Sequence, residues 1–373
     1  MSALPQCIVS RSLLIALALA TTAGCGSGAQ QPISVMTRNL YLGADLSPLT
    51  GALTPADLAQ LASDVWRDVQ ASRFPERALI LADEIQQTDP DVVALQEVSL
   101  FRTQSPGDWM SGAPPDASTV SLDFLQLLQD ALAARGASYR ATVIGTNADE
   151  ELPAIDQDGS PLDVRLTDRD VILVKESLDS TPGPAAIFQT FAFLPVGGAG
   201  GTTLRFRRGY VSADVTTGGK TVRIVNSHLE VGGLLGRFQE DQARELASSL
   251  AATSGGQVIL AGDFNSRPEG TGTASYALLT TKAGSSAPFR DVWPFRQPHP
   301  MGQAFPLLMT VSTDFTCCLN IDSPNAVTQE RIDLILFRGG VEPADAGVVD
   351  TARTPSGLWP SDHLGVFAEF KLR

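Results

Sequence analysis

The sequence predicts a layered α/β domain running from about residue 32 to the end, and three observations carry that expectation. Short apolar runs of strand length alternate with amphipathic stretches of helical period, as where Ala78, Leu81, Ala82 and Ile85 precede Val92 to Leu95. The chain has 373 residues, of which 43% are hydrophobic, enough to build a sizeable core. Several apolar runs also finish in a polar side chain. The clearest is Val258 to Asn265, reading Val-Ile-Leu-Ala-Gly-Asp-Phe-Asn, a buried strand that delivers Asp263 and Asn265 to a surface. If the extended conformation holds, alternation points those two the same way and Phe264 back inside.

Charge narrows the function. Twenty-seven basic against 41 acidic residues leave a net charge of -14, so the overall field does not attract a phosphate backbone. An enzyme of this charge acting on phosphoesters needs a cation to bring its substrate in.

Residues 1 to 24 carry one charge, Arg11, before an apolar stretch from Leu13 to Ala20. That is the pattern of an export leader, too short to span a bilayer. Thr21, Thr22, Ala23 and Gly24 directly before Cys25 resemble a bacterial lipoprotein signal, in which cleavage leaves the cysteine first and lipidated. Thr22 stands where a leucine is usual, so an ordinary cleaved leader is the alternative. The first reading implies a cell-envelope protein anchored to the membrane by lipid alone, the second a secreted or periplasmic one. Residues 25–31 then form a flexible tether, and the catalytic domain is expected over 32–373.

The first strand is Ile33 to Thr37, ending in Arg38 and Asn39. Thr54 with Pro55 caps a helix reaching about Ala71, and Pro75 starts a second. Asp89-Pro90-Asp91 leads into Val92 to Leu95, a strand covered on both faces that terminates in Gln96 and Glu97. Residues 103–118 read as a surface loop, Leu122 to Ala134 as a helix closed by Gly136, and Tyr139 to Ile144 as a strand. The acidic stretch Asn147 to Asp168 reads as a further exposed loop. Beyond the run Val171 to Val174, a strand is expected near Ile187 to Phe193, a glycine loop at 197–201, and a strand from Leu204 to Val215 that presents Arg205, Arg207 and Arg208. Val222 to His228 repeats the theme, with Asn226 and His228 on one face at its end, and Arg237 to Leu250 is helical. Arg331 to Phe337 is a strand holding the carboxylate Asp333, and Ser361-Asp362-His363 precedes the last strand, Val366 to Phe370. Cys317 and Cys318, adjacent and without metal-ligand spacing around them, read as small hydrophobes rather than as a disulfide.

In order, the polar strand ends are Asn39, Glu97, Asn226, His228, Asp263, Asn265, Asp333, Asp362 and His363. Two of the chain's three histidines are among them, which suggests a common rim. Hard oxygen ligands with few nitrogens and no cysteine favour Mg²⁺, or Mn²⁺ or Ca²⁺, over zinc. Asp333 shares a strand face with Ile335 and Phe337, so its carboxylate needs a partner, His363 or a nearby arginine such as Arg331.

Asn39, Leu-Gln-Glu-Val at 95–98, Asn-Ser-His-Leu at 226–229, Gly-Asp-Phe-Asn at 262–265, Arg-Ile-Asp at 331–333 and Ser-Asp-His at 361–363 together resemble the endonuclease/exonuclease/phosphatase superfamily, in that family's order. The resemblance implies a DNase I-like four-layer sandwich, two packed mixed sheets with helices outside and one active site where strand ends meet. It implies Glu97 as principal metal ligand, assisted by Asn39 and Asp362. Asp263 would orient or deprotonate the attacking water and Asn265 would hold that water or a phosphoryl oxygen. His363, held by Asp333, would donate to the phosphate, and His228 would bind phosphate or assist the leaving group. Arg208 matches the family's phosphate-contacting arginine, with Arg207 beside it as a competitor. Tyr41 departs from the pattern, since some members carry an acid two places after the asparagine, and it leaves a second metal open.

The function these features imply is an exported, divalent-metal-dependent phosphodiesterase acting as a monomer. Its substrate is left open between nucleic acid, a phospholipid head group and a small phosphoester. The alternative is a surface lipoprotein that keeps the fold as a binding module.

Overall fold

The computed structural model describes residues 31–251, 256–270, 272–296, 314–325, 327–349 and 351–373. The expected leader, Cys25 and nearly all of the tether lie outside the described residues. In chain order the strands begin with β1 (Gln31–Asn39), β2 (Val92–Gln96), β3 (Leu100–Gln104), β4 (Thr119–Asp123), β5 (Tyr139–Ile155) and β6 (Pro161–Lys175). They continue with β7 (Asp179–Pro182), β8 (Ala186–Ile187), β9 (Ala192–Val196), β10 (Thr202–Phe206), β11 (Gly209–Thr217) and β12 (Lys220–His228). The last are β13 (Val258–Asp263), β14 (Arg290–Asp291), β15 (Asp333–Arg338), β16 (Val341–Val348) and β17 (Val366–Leu372). The helices are α1 (Pro55–Ala71), α2 (Phe74–Thr88), α3 (Phe124–Ala134), α4 (Gly236–Ala251) and α5 (Ser275–Thr280). No helix among the described residues is long and apolar enough to cross a membrane.

Two mixed sheets dominate. The first runs β16-β17-β1-β2-β6-β3-β4 with β5 on β6, and the second runs β14-β15-β13-β12-β11-β7 with β8 on β11. Strand alternation decides which side chains lie between them. Val92 and Ala94 on β2 meet Ile224 on β12, Ala261 on β13 and Ile335 on β15 in the inter-sheet core. Their neighbours Val93 and Leu95 pack outward against Leu81 and Ile85 of α2 and Leu128 of α3. Val225, Leu260 and Leu336 pack outward against Leu246 and Leu250 of α4. Helix, sheet, sheet and helix give the expected four-layer sandwich.

Local chemistry explains the helix limits. Thr54 Oγ1 accepts from Asp57 N at 3.1 Å while Asp57 Oδ2 accepts from Thr54 N at 3.0 Å, a reciprocal cap with Pro55 in the first turn. Asp123 caps α3 through Leu125 N, so that helix starts two residues after the expected Leu122.

Several expectations are corrected. Asn147 to Asp168 is no loop but most of a long hairpin, β5 on β6, turning over 156–160. Its acidic side chains find partners in the fold, Asp149 pairing with both Arg102 and Arg165 and Glu150, Glu151 and Asp163 accepting from main-chain N–H groups, so their number did not signal loop. The stretch near Ile187 to Phe193 divides between β8, in the second sheet, and β9, in a separate hairpin with β10. The run Leu204 to Val215 likewise breaks at Arg207 and Arg208 between β10 and β11. Cys317 and Cys318 are joined by a disulfide, contrary to the expectation of two unbonded side chains.

Candidate active site

Register places the site. In the second sheet Asp263 stands opposite Asp333 on the antiparallel β13–β15 ladder and beside His228 on the parallel β12–β13 ladder. In the first sheet Asn39 is the parallel partner of Gln96, the last residue before Glu97. Alternation turns Asn39, His228, Asp263 and Asp333 toward the same inter-sheet space as the core residues Val35, Ile224, Ala261 and Ile335 on the same strands. Side chains from distant parts of the sequence thus meet at one end of the sandwich.

The last step is made by backbone departures from the strand. Glu97, one residue past β2, has φ of 55°, in the left-handed region, and its side chain is turned to the inner end instead of the helix side. At Gly262 the backbone of β13 approaches β12 so closely that a Cβ would lie 1.9 Å from Ser227 O, which requires glycine. Asn265 also has positive φ, 49°, so Asp263 and Asn265 are not kept together by continued extension as the sequence suggested. A turn does it instead, in which Asn265 N donates to Asp263 Oδ1 at 3.0 Å.

Asp263 Oδ2 is the meeting point. It accepts from Asn39 Nδ2 at 3.1 Å and lies 3.6 Å from His228 Nε2 and 3.7 Å from His363 Nε2. Burial raises the Asp263 carboxyl, Asp333 adds to the rise and His363 opposes it, leaving it at about 7.

The two histidines are set differently. His228 Nδ1 is 3.0 Å from Arg208 Nη1 and Nε2 is 3.3 Å from Asn265 Nδ2; a neutral ring accepts at one nitrogen only, and the shorter, charge-assisted contact takes it, so Nδ1 is the acceptor and Nε2 carries the proton. Burial, helped by the charges of Arg208 and His363, holds His228 well below the usual imidazole range, so it is neutral. His363 Nδ1 donates to Asp333 Oδ2 at 2.9 Å. Burial alone would lower its pKa, but Asp333, Asp263 and Asp362 together push it well above the usual range, so it is a cation. Arg331, the other possible partner of Asp333, pairs with Asp291 at 2.7 Å. The Cys317 sulfur of the disulfide is 3.6 Å from His363 Nε2.

Arg208 also reaches Asp168 at 3.5 Å, whereas Arg207 is exposed and lies over the Phe191 ring. Of the two, Arg208 faces the site. Asn226 does not: its Nδ2 donates to Leu95 O at 2.8 Å and Val171 O at 3.0 Å, and its Oδ1 accepts from Gln96 Nε2 at 2.7 Å. It ties one sheet to the other below the site.

Glu97 accepts from Asn39 Nδ2 at 3.2 Å and from Leu42 N at 2.7 Å. Its carboxyl is raised by burial and by the facing carboxylates Asp362 and Asp168, and Asp362 is itself raised by burial. Asp168 Oδ1 is buried with no hydrogen-bond partner. Hard oxygen donors, mutually repelling and in part unsatisfied, are the chemistry a divalent cation neutralises, so the donor set fits one. Asn39 turns its Oδ1 to Tyr41 N at 2.8 Å and spans Glu97 and Asp263 with its Nδ2. Asp263, Asp333 and His363 also bring ligand-type atoms within 4.8 Å of one another. Because His363 is held as a cation there, that group is internally neutralised.

Positioning residues escaped the sequence reading. Arg38, buried, pairs with Glu84 at 2.8 Å and donates to His363 O. Arg77, also buried, donates to Leu40 O at 2.7 Å and Pro360 O at 2.9 Å, joining the segment after Asn39 to the segment before Asp362. Asp168, two residues from Asp170 inside a charged strand, gave no sign of facing the site.

A family model described as "Endonuclease/Exonuclease/phosphatase family" matches residues 61–363. Among solved structures, a protein of that description from Bacteroides thetaiotaomicron is 17% identical, covering 92% of this chain and 99% of its own with a TM-score of 0.54. A mannosyl-6-phosphatase from the same organism is 17% identical, over 91% and 99%, at 0.52. A humanized D. rerio TDP2 is 19% identical, over 91% and 98%, at 0.50. At these identities the likeness is one of fold. No curated protein matches the chain.

Proposed function

Since the chain belongs to the endonuclease/exonuclease/phosphatase family, we propose that it is a hydrolase of phosphoester bonds, a phosphodiesterase, that works with a divalent cation. The observation that carries this reading is the convergence of Asn39, His228 and His363 on one carboxylate oxygen of Asp263.

Asp263, with its carboxyl near 7, takes a proton from the attacking water. Asn39 and the Asn265 amide hold that carboxylate at a fixed angle, so the water is aligned before reaction. His363 presents Nε2–H, with Asp333 behind it, to a nonbridging phosphoryl oxygen. Neutral His228, its tautomer set by Arg208, presents a second N–H beside the first. Two donors flanking the base stabilise the charge that grows on the phosphoryl group, and of the two only cationic His363 has a proton to give to the departing oxygen, while neutral His228 donates a hydrogen bond and keeps its proton. Glu97 and Asp362, with Asn39, would hold Mg²⁺ or a related cation, which supplies electrostatic stabilisation of the phosphoryl oxygens when bound.

The apolar stretch Leu13 to Ala20 behind Arg11 supports export, and the small residues before Cys25 support lipidation of that cysteine and attachment to a membrane. Loss of fatty-acid label in Cys25→Ser supports the anchor, and absence of label from the unaltered protein refutes it. The test of function is a panel of bis-p-nitrophenyl phosphate, plasmid DNA and sphingomyelin with Mg²⁺, beside a His363→Ala control. Turnover of any member, lost in the control, supports the hydrolase. Binding without turnover supports the binding-module alternative.

A further inference from the structure

We propose that the ester group of the substrate includes a small apolar arm, an aryl ring or a branched alkyl chain, held in a cavity continuous with the active site. This rests on the hydrolase reading and narrows its substrate class. The cavity measures about 120 Å³. Its walls are apolar: Leu46, Val65 and Trp66 on and before α1, and Leu204 and Phe206 on β10. Its charged lining is Glu97, Asp168 and Arg208, which belong to the site just described, together with Glu150 and Arg207, so the void and the chemistry share a boundary.

Size and polarity select the occupant. An apolar cavity of about 150 Å³ takes benzene and stays dry, and this one is slightly smaller. Most of its lining is apolar, and an unfilled void forfeits contacts along those walls. Val65 and Leu46 are only partly buried, although apolar neighbours surround them. A ligand with an anionic head toward Arg208 and a short apolar arm satisfies both ends. A long acyl chain exceeds the volume, and a sugar would bring hydroxyls without partners.

The experiment is calorimetric titration of the intact protein, with Mg²⁺ present, by methyl-, butyl-, phenyl- and octylphosphonate. Each methylene buried in the cavity tightens binding by roughly fourfold. Phenyl- and butylphosphonate should therefore bind at least about tenfold tighter than methylphosphonate, with no further gain for octyl. Val65→Phe, and independently Leu46→Phe, fill the cavity and should erase the preference while leaving methylphosphonate affinity unchanged. Equal affinities across the series, absence of binding included, overturn the proposal, as does a preference that survives both fillings. The hydrolase reading is read separately, from turnover of methyl p-nitrophenyl phosphate: turnover without arm selectivity retains the hydrolase and discards the cavity, and selectivity without turnover does the reverse.

Discussion

Asp333 Oδ2 lies 2.9 Å from His363 Nδ1, and Asp333 is also the ladder partner of Asp263. One buried carboxylate thereby keeps the imidazole charged and aims its other N–H at the base. In Asp333→Asn, the amide oxygen still accepts from Nδ1 but the charge is gone. Activity should fall by roughly 10²-fold, in line with loss of a charged donor. His363 then loses a proton more readily, so the alkaline limb of kcat/KM should move to lower pH. A fall in activity with the limb unmoved would make Asp333 merely structural.

The pH profile of the unaltered protein reports Asp263. Its carboxyl, raised to about 7 chiefly by burial, must be ionised to accept a proton, so kcat/KM should rise with pH along an acid limb and fall when His363 deprotonates. A bound cation lowers the limb, though not to the ordinary aspartate value of about 3.9. Asp263→Asn should remove roughly 10² to 10⁴ of the rate. A profile flat down to about pH 4 would contradict the assignment.

Asp170 is buried, neither carboxylate oxygen has a partner in good hydrogen-bond geometry, and burial followed by the charge of Asp168 pushes its carboxyl up to about 8 against the opposing Asn147 amide and Arg208. A folded-state value above the unfolded one means the folded state holds the proton more tightly. The stability linked to that proton is therefore complete below the unfolded value of about 3.9 and lost as pH rises to about 8. Asp170→Asn has no proton to lose. In thermal melts with chelator present, its advantage over the unaltered protein should widen between pH 4 and 8 and then level off. A constant difference across that range would show that Asp170 is ionised throughout.

Asn226 separates architecture from chemistry. Asn226→Leu removes two donations to the buried carbonyls of Leu95 and Val171 and one contact of the Gln96 amide, which keeps Thr37 Oγ1 and Ala94 O, and each buried polar group left unpaired costs about 1 to 3 kcal/mol. The melting temperature should fall substantially while kcat per folded molecule stays close to its original value. Loss of kcat at a temperature where the variant is fully folded would return Asn226 to the site.

Much of the fold was legible because its signals are local. Thr54 with Pro55 announces α1, and the apolar runs into Asn39, Glu97, His228 and Asp263 announce strands whose ends form the site. Where long-range pairing decides, the sequence was silent. The acids of 147–168 read as a loop because partners such as Arg102 and Arg165, which both reach Asp149, are visible only once β5, β6 and β3 are side by side. Asn226 looked like its neighbour His228, because alternation tells the face of a strand but not how far along the sandwich a side chain sits. Arg38 and Arg77 act through main-chain carbonyls, which no residue pattern reveals. The bond between Cys317 and Cys318 depends on the backbone between them, which composition does not report.

The most direct measurement is hydrolysis of bis-p-nitrophenyl phosphate by the intact protein in EDTA, then after adding back Mg²⁺, with His363→Ala run in parallel. We expect turnover to vanish in chelator, to return with Mg²⁺, and to stay at least about 10²-fold lower in the variant once Mg²⁺ is restored. Turnover indifferent to EDTA, or equal in His363→Ala, would contradict a catalytic centre built from Glu97, Asp263 and His363.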